Sequence, residues 1–344
     1  AQAAAQALQQ QQPPPPPPPP PPALPAQLAA PWRQVSSSLG TPLVLTATDT
    51  DLWNCVGVDD GTEPLACLDA FAQVVSMTGT RSERGFHALP FAIQRQLAPL
   101  LPMLLHAPAR VRARDDTWLI ELCERTASAL RATRETLLPN VYDVVGKEEF
   151  YDAYRPCLGG FNGLKFVGIG VEGERGGGDG VAGSAHGGDV AEGAAAAAPA
   201  DGGSEDDDVR VTREVTLVGP SAGQTAILML IDAVLGVSHG TQTASFRQAM
   251  LGYLPLKHAA LVRDVTAQIA EGGSVRDAAT RAGEASPLAR AHADALARLA
   301  AVRAFHMGMA TSFLRAALKG TGDSDFRSLL DEALRSTRAA AAKS

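Results

Sequence analysis

A long amphipathic stretch near the end of the chain, residues 286–320, constrains the fold more than any other feature. Ser286 is a favourable N-cap, Pro287 suits the first helical turn, and Gly320 can end the helix in a left-handed C-cap. We therefore predict one helix of about 50 Å, at ~1.5 Å per residue. Its predicted buried face, here called the apolar stripe, repeats at steps of four and three: Leu288, His292, Ala295, Leu299, Val302, His306, Met309, Phe313 and Ala316.

His306 is the residue of this stripe that suggests chemistry. Its neighbours Phe305 and Met309 are apolar, and Gly308 leaves a gap in the helix wall that suits a flat macrocycle. One interpretation is a core imidazole bonded to a carbonyl group; the other is an axial haem ligand, because proximal histidines lie on helices in apolar pockets. Arg303, one turn earlier, favours haem, since a guanidinium group can pair with a propionate.

Composition narrows the class of protein. The 344 residues carry a formal charge of -7 with a pI near 5.5, and no basic stripe, so we expect neither nucleic acid nor an anionic membrane surface as a partner. No apolar run is long enough to span a membrane, and no secretory signal is visible. The cysteines lack C-x-x-C spacing, which suits reduced thiols in a cytoplasmic protein.

Two segments lack the side chains of a core. Residues 1–30 are a Gln/Pro-rich tail that includes the prolines 13–22, and we expect an exposed polyproline II segment or a ligand for an SH3-like or profilin-like partner. Residues 172–213 are rich in Gly, Ala and acid, which predicts a disordered insertion. The flanking stretches 166–171 and 215–218 are interpreted as two ends of one ordered surface segment. The rest of 31–344 is predicted to be one helical domain.

Helical periodicity dominates from about residue 65, whereas residues 32–67 are interpreted as loop. The fold class is therefore predicted to be all-α. Besides the long helix, the predicted helices are 65–79, 85–105 broken by its prolines, 118–138, 147–158, 222–235, 243–251, 255–271 and 326–338.

Residues 219–223 match the G-x-S-x-G pattern of a hydrolase nucleophile elbow, with Ser221 as the nucleophile. The strand-like stretch 215–218 precedes it and a helix follows. An α/β-hydrolase needs several parallel strands, however, and the sequence shows barely one. A serine hydrolase is thus a weaker alternative.

An aromatic cluster precedes the predicted insertion. Phe150, Tyr151, Tyr154 and Arg155 fall within about one helical turn. A ring face beside a guanidinium group suits an aromatic amino acid, whose carboxylate takes a bidentate pair. The alternative is a core cluster with a surface arginine.

Taken together, six runs in order resemble the haem-dependent indoleamine 2,3-dioxygenase family: SSSLGTPLVL, EEFYDAYRPCLGGFNGL, GPSAGQTAILMLIDAVLGV, YLPLKH, VRAFHMGMAT and KGTGDSDFRSLL. The resemblance implies a single large helical domain that holds haem b between helices, with the family's small N-terminal domain largely missing. It also implies that O2 opens the indole ring of L-tryptophan or a related indoleamine to give N-formylkynurenine. An electron donor would keep the haem ferrous.

The resemblance also assigns residues. On the proximal side it implies iron ligation by His306, a propionate contact by Arg303 and a nearby carboxylate from Asp232. Around the substrate it implies roles for Phe86, Phe150, Tyr151, Arg155, Ser221, Ala222 and Thr321. Phe150 would pack on the indole, Arg155 would bind the carboxylate, and Thr321 would belong to the closing loop.

The chain departs from the family pattern near the indole nitrogen. Pro90 stands where relatives carry Ser or His, which leaves the hydrogen bond at that nitrogen without a protein partner unless His87 is displaced toward the indole nitrogen. Phe161 replaces a usual tryptophan, and Asp323 replaces a glycine of the closing loop. The opposed interpretation is a haem-bearing relative that binds a ligand without turnover.

Overall fold

A computed structural model describes residues 23–57, 68, 71–167, 212–314 and 325–342. The helices are α1 (Ala26–Leu39), α2 (Arg81–Leu97), α3 (Leu101–Ala113), α4 (Asp116–Ala132), α5 (Val141–Val144), α6 (Lys147–Glu149), α7 (Ala226–Leu235), α8 (Thr241–Met250), α9 (Leu256–Gly272), α10 (Val275–Ala282), α11 (Pro287–Leu314) and α12 (Phe326–Ala341). The short strands are β1 (Ala23–Leu24), β2 (Cys55–Gly57), β3 (Phe71–Gln73), β4 (Phe161–Val167) and β5 (Thr212–Leu217). The predicted all-α class is confirmed.

The long helix α11 begins where its cap was predicted. The Ser286 hydroxyl accepts a hydrogen bond from the Ala289 backbone N–H at 3.0 Å, and Pro287 is the first helical residue. The helix packs against α4 and α12. Its described part ends at Leu314, so the predicted end at Gly320 lies outside the described residues.

The apolar stripe of α11 is buried in its first half and half-buried around His306. Leu288, His292, Ala295 and Leu299 are at most 1% exposed. Val302, His306 and Met309 keep part of their surface accessible, and Phe313 is buried again. The predicted stripe is therefore confirmed for its described residues, with a less buried middle, whereas Ala316 lies outside the described residues.

The core has two main parts, and α11 contributes to both. The larger part joins α3, α4, α7, α9, α10 and the first half of α11. The smaller part is the aromatic-rich cluster formed by α2, residues 137–158 and the second half of α11, with Phe86, Phe150 and Phe313 among its members. Pro90 and the following prolines break residues 85–105 into α2, a 3-10 turn and α3, as predicted.

A three-stranded sheet closes one edge of the domain. β4 and β5 pair antiparallel, with Leu164 opposite Val215 and Phe166 opposite Arg213. The ordered segment predicted on both sides of the insertion is thus confirmed for residues 166–167 and 215–218, whereas residues 168–171 lie outside the described residues. The predicted insertion boundary at residue 213 was wrong, because Thr212 and Arg213 form rungs of this ladder. Residues 168–211 lie outside the described residues.

The N-terminal region holds more regular structure than its composition predicted. Residues 23–30 belong to β1 and α1, so a disordered tail that reaches residue 30 was wrong. β1 pairs parallel with β4, and Ala29 of α1 packs against Leu164 and Phe166. The prolines 13–22 lie outside the described residues.

One further prediction was wrong, and one helix was not predicted. The predicted helix 65–79 contains β3, which pairs with β2 from Cys55↔Gln73 to Gly57↔Phe71. The helix α10 was missed, although Ser274 and Asp277 form a reciprocal capping box that marks its start.

Among the helices that the structure describes, none combines the length and the apolar character needed to cross a membrane.

Candidate functional site

His306 lies two-thirds of the way along α11 with its imidazole enclosed by protein but not sealed off. Burial first, and then the positive charge of Arg303, lower its pKa below the ordinary value. The ring is therefore neutral near pH 7, the form that ligates a metal. No hydrogen bond to a described residue occupies its nitrogens. An ideal Cβ on Gly308 would meet nothing within 4 Å, so the predicted gap in the helix wall exists.

The other histidine of the stripe behaves differently. His292 is fully buried and its Nε2 lies 2.8 Å from the Leu235 carbonyl oxygen. Burial lowers its pKa as well. The bland interpretation of a core imidazole bonded to a carbonyl group therefore holds for His292 but not for His306.

Arg303, one turn before His306, is anchored to Asp232 of α7. Its Nη2 lies 2.7 Å and 2.6 Å from the two carboxylate oxygens, and its Nη1 bonds the Thr337 hydroxyl of α12. Both terminal nitrogens are thus engaged, whereas the Nε donor has no acceptor among the described residues. Asp232 and Arg303, assigned separately by resemblance, form one ion pair that joins α7 to the helix that carries His306.

A second arginine binds the same carboxylate. Arg247 of α8 contacts Asp232, and the Nε2 of His239 lies 3.2 Å from it. Burial alone would raise the pKa of Asp232, but Arg303 and then Arg247 outweigh it and hold that pKa far below its usual range. Two guanidinium groups share one carboxylate, so the cluster carries a surplus positive charge.

The predicted distal residues Phe86 and Phe150 meet face to face. Their ring centroids are 4.8 Å apart at an interplanar angle of 29°. Phe313, about two turns beyond His306 on α11, contacts Phe150 edge-on at 5.8 Å. We call Phe86, Phe150 and Phe313 the aromatic wall. It connects the distal residues to the helix of His306.

Tyr151 and Arg155 form a pair beside this wall. The Arg155 guanidinium carbon lies 5.4 Å from the centre of the Tyr151 ring, and both side chains are half-buried. Ser221 is half-buried and Ala222 is exposed in the loop before α7. Thr321 and Asp323 lie outside the described residues, as do side-chain details of Phe161.

The G-x-S-x-G match has a structural cause unrelated to nucleophilic catalysis. A Cβ on Gly219 would lie 2.0 Å from the Leu158 carbonyl oxygen, so only glycine fits where two backbone segments cross. The Ser221 hydroxyl accepts from the Gly223 N–H at 3.3 Å, and none of the histidines in the described residues bonds to it. The sheet beside it is small and mostly antiparallel. The hydrolase alternative therefore fails.

A buried polar chain that no sequence pattern indicated lies behind the wall. His87 Nδ1 lies 2.6 Å from Asp51 Oδ1, and His87 Nε2 bonds the Tyr154 hydroxyl. Burial raises the pKa of Asp51 against the opposing effect of His87, and it raises that of Tyr154 well above its usual range. His87 is 1% exposed, so its predicted displacement toward an indole nitrogen was wrong. No sequence spacing linked these three positions.

These residues fit haem b. A neutral, accessible imidazole suits the iron, and the surplus positive charge one turn away suits a propionate, because buried charges require partners. A separate cleft of about 560 Å³ lies on the opposite side of α11 and is lined by alanines and Arg338, with no side chain that ligates iron.

Comparison with known proteins identifies a matching family and several relatives. A family model described as indoleamine 2,3-dioxygenase matches residues 9–337. A 6-hydroxytryptophan 2,3-dioxygenase of Fusarium equiseti is 29% identical over 89% of this chain and 66% of its own length. Human indoleamine 2,3-dioxygenase 2 is 24% identical over 85% of this chain and 61% of its length. A myoglobin of Haliotis diversicolor is 24% identical over 90% of this chain and 72% of its length. The chain thus spans a little under two thirds of the first two relatives.

Proposed function

The chain belongs to the indoleamine 2,3-dioxygenase family, and from that membership we propose that it is a haem-dependent dioxygenase that opens the indole ring of L-tryptophan or a related indoleamine. One observation carries the proposal. The neutral imidazole of His306 lies one turn from Arg303, which belongs to the positively charged cluster of Arg303, Arg247 and Asp232, and its helix also contributes Phe313 to the aromatic wall.

In this proposal His306 holds the iron, and Arg303 directs its remaining donors to a propionate while Asp232 fixes its orientation. Haem b, when bound, supplies O2 activation and oxidation of the indole ring. An external electron donor keeps the iron ferrous. Family membership supports the haem, and the names of the relatives support a tryptophan-like substrate.

The remaining roles concern recognition. The stacked Phe86 and Phe150 offer a flat apolar surface to an indole ring. We assign the Arg155 guanidinium, which lies over Tyr151, to the substrate carboxylate. We assign the loop of Ser221 and Ala222 to the edge of the site. Thr321, which lies outside the described residues, is assigned to substrate binding by the resemblance alone.

Haem binding is tested first, independently of turnover. Purified protein reconstituted with haem b should give the Soret band of a histidine-ligated haem, and His306→Ala should lose it. His106→Ala, an exposed histidine of α3, is the matched control and should bind haem normally. An unchanged spectrum in His306→Ala would refute the ligand assignment.

Substrate chemistry is tested by following N-formylkynurenine formation with ascorbate and methylene blue as reductant. A charged bidentate pair contributes roughly 1.5 to 3 kcal/mol, so Arg155→Ala should lower kcat/KM by about ten- to a hundredfold while haem stays bound. Arg131→Ala, an exposed arginine of α4, is the control. Equal activity in the two variants would contradict the role of Arg155.

A second candidate function comes from the relative named myoglobin. Under it, the protein binds haem and a ligand without turnover. Haem-loaded wild type that binds tryptophan in equilibrium dialysis but forms no product would favour this alternative.

The thiols of Cys55, Cys123 and Cys157 are unpaired, which supports our proposal of a reducing, cytoplasmic location.

A further inference from the structure

Three residues that no role above uses converge behind the aromatic wall. Asp51, His87 and Tyr154 are 7%, 1% and 0% exposed, and the imidazole bonds the carboxylate through Nδ1 and the phenol through Nε2. Asp51 Oδ1 also accepts from the Thr50 hydroxyl at 3.0 Å. We call Asp51, His87 and Tyr154 the buried chain. Its members are too deeply covered to touch a substrate.

The buried chain joins three separate elements. Asp51 belongs to the helical turn Thr48–Leu52, His87 to α2, and Tyr154 ends the turn Phe150–Tyr154. The first of these turns is also held from its other side, because the Ala47 N–H donates to Gln224 Oε1 at 2.8 Å. A segment near the start of the domain therefore links the loop of Ser221 to the helix of Phe86.

The chain lies directly against the two stacked rings. His87 follows Phe86 in sequence and meets its ring edge-on at 5.4 Å, and Tyr154 lies 5.7 Å from Phe86 and 6.2 Å from Phe150. Apolar side chains of similar size would fill the same volume without fixing one orientation. Hydrogen bonds have direction, and breaking one leaves a buried polar group unsatisfied.

We propose that Asp51, His87 and Tyr154 are positioning residues that hold Phe86 and Phe150 in one orientation for an aromatic ligand. The inference rests on the proposed function because its ligand is an indole. The buried chain acts through the wall, so its loss weakens substrate recognition and mobilises the two rings while haem binding is retained.

The test compares two variants that each remove one phenolic hydroxyl. Tyr154→Phe breaks the buried chain, whereas Tyr142→Phe is the matched control, because Tyr142 is 44% exposed and stacks on the far side of the cluster against Phe313. Loss of one buried hydrogen bond should raise the KM for L-tryptophan in Tyr154→Phe by about five- to tenfold, with a smaller change in kcat. The Soret band should be unchanged in both.

A double-variant cycle isolates the hydrogen bond. Once His87→Phe has removed the imidazole, adding Tyr154→Phe should change KM no further, because the hydroxyl has already lost its partner. Additive effects of the two substitutions would overturn the proposal. So would equal KM shifts in Tyr154→Phe and Tyr142→Phe.

A readout without turnover separates this inference from the proposed function. In isotope-labelled protein, NMR should show that Phe86 and Phe150 flip their rings at least about fivefold faster in Tyr154→Phe than in wild type or Tyr142→Phe. Unchanged flip rates would refute the positioning role even in an active enzyme. Faster flips in a protein that neither binds nor oxidises tryptophan would uphold the restraint of the two rings by the buried chain and refute the proposed function.

Discussion

Replacement of Asp232 by asparagine should be among the most destabilising isosteric changes in this chain. The carboxylate is 2% exposed, and the side chains that depend on it, Arg303 and Arg247, are 13% and 22% exposed. Asn keeps the shape but removes the charge, which leaves two mostly buried guanidinium groups without a counter-charge. Breaking a buried pair in this way costs about 3–5 kcal/mol.

The matched control is Asp294→Asn on α11. Its partner Arg298 is four residues away, and the two side chains are 52% and 42% exposed, so solvent screens the pair. The expected loss is below about 1 kcal/mol. The measurement is the free energy of unfolding of haem-free protein in urea at pH 7, followed by far-ultraviolet circular dichroism.

Two further measurements test the same ion pairs. Adding Arg247→Met to Asp232→Asn should recover part of the lost stability, because it removes one of the two unpaired cations. The pKa of Asp232 is depressed in the folded protein, so its contribution is present above the unfolded value near 4 and falls as the pH drops below it. The difference between wild type and Asp232→Asn should therefore shrink in acid. A loss no larger than that of Asp294→Asn would refute the reasoning.

Three other predictions concern stability. Burial disfavours the charge on Glu83, but four hydrogen bonds from the preceding loop lower its pKa to about 2. Glu83→Gln should thus lower the unfolding free energy by about 2 kcal/mol at pH 7. In urea titrations this difference should disappear as the pH falls from about 4.5 to 2, and a difference that stays constant with pH would contradict the prediction. Gly85→Ala places a Cβ 2.7 Å from Val144 and should lower the unfolding free energy by about 1–3 kcal/mol. Gly308→Ala has open space around it and should raise the unfolding free energy of the haem-free protein by about 0.5–1 kcal/mol. A change of the same sign in both variants would contradict the prediction. Replacing residues 172–211 by a short Gly/Ser linker should leave the thermal midpoint nearly unchanged, since β4 and β5 already pair on either side of the excised stretch; calorimetry showing a drop of several degrees would refute it.

Local signals in the sequence determined much of the helical frame. The start of α11 follows from the N-cap at Ser286 and the proline after it, because both act on the first turn alone. The stripe through His306 follows from helical periodicity, and it points the imidazole inward in the structure as predicted. The prolines after Pro90 break the helix for an equally local reason.

The resemblance to a known family added identities that composition and periodicity do not contain. It singled out His306, Arg303 and Asp232, and the structure shows that Arg303 and Asp232 form an ion pair. It also singled out Phe86 and Phe150, which stack. Their roles toward haem and substrate remain proposals.

Tertiary structure alone decided the contacts between positions that are distant in sequence. His87 is 36 residues from Asp51 and 67 residues from Tyr154, its two hydrogen-bond partners. Arg247 likewise contacts Asp232 from another helix. The same applies to β2 and β3, where Phe71 fits a helical repeat as well as a strand until its partner is known. Periodicity and capping are properties of neighbouring residues, so sequence reveals them. Buried polar contacts depend on which surfaces meet when the chain folds, and no local pattern records that.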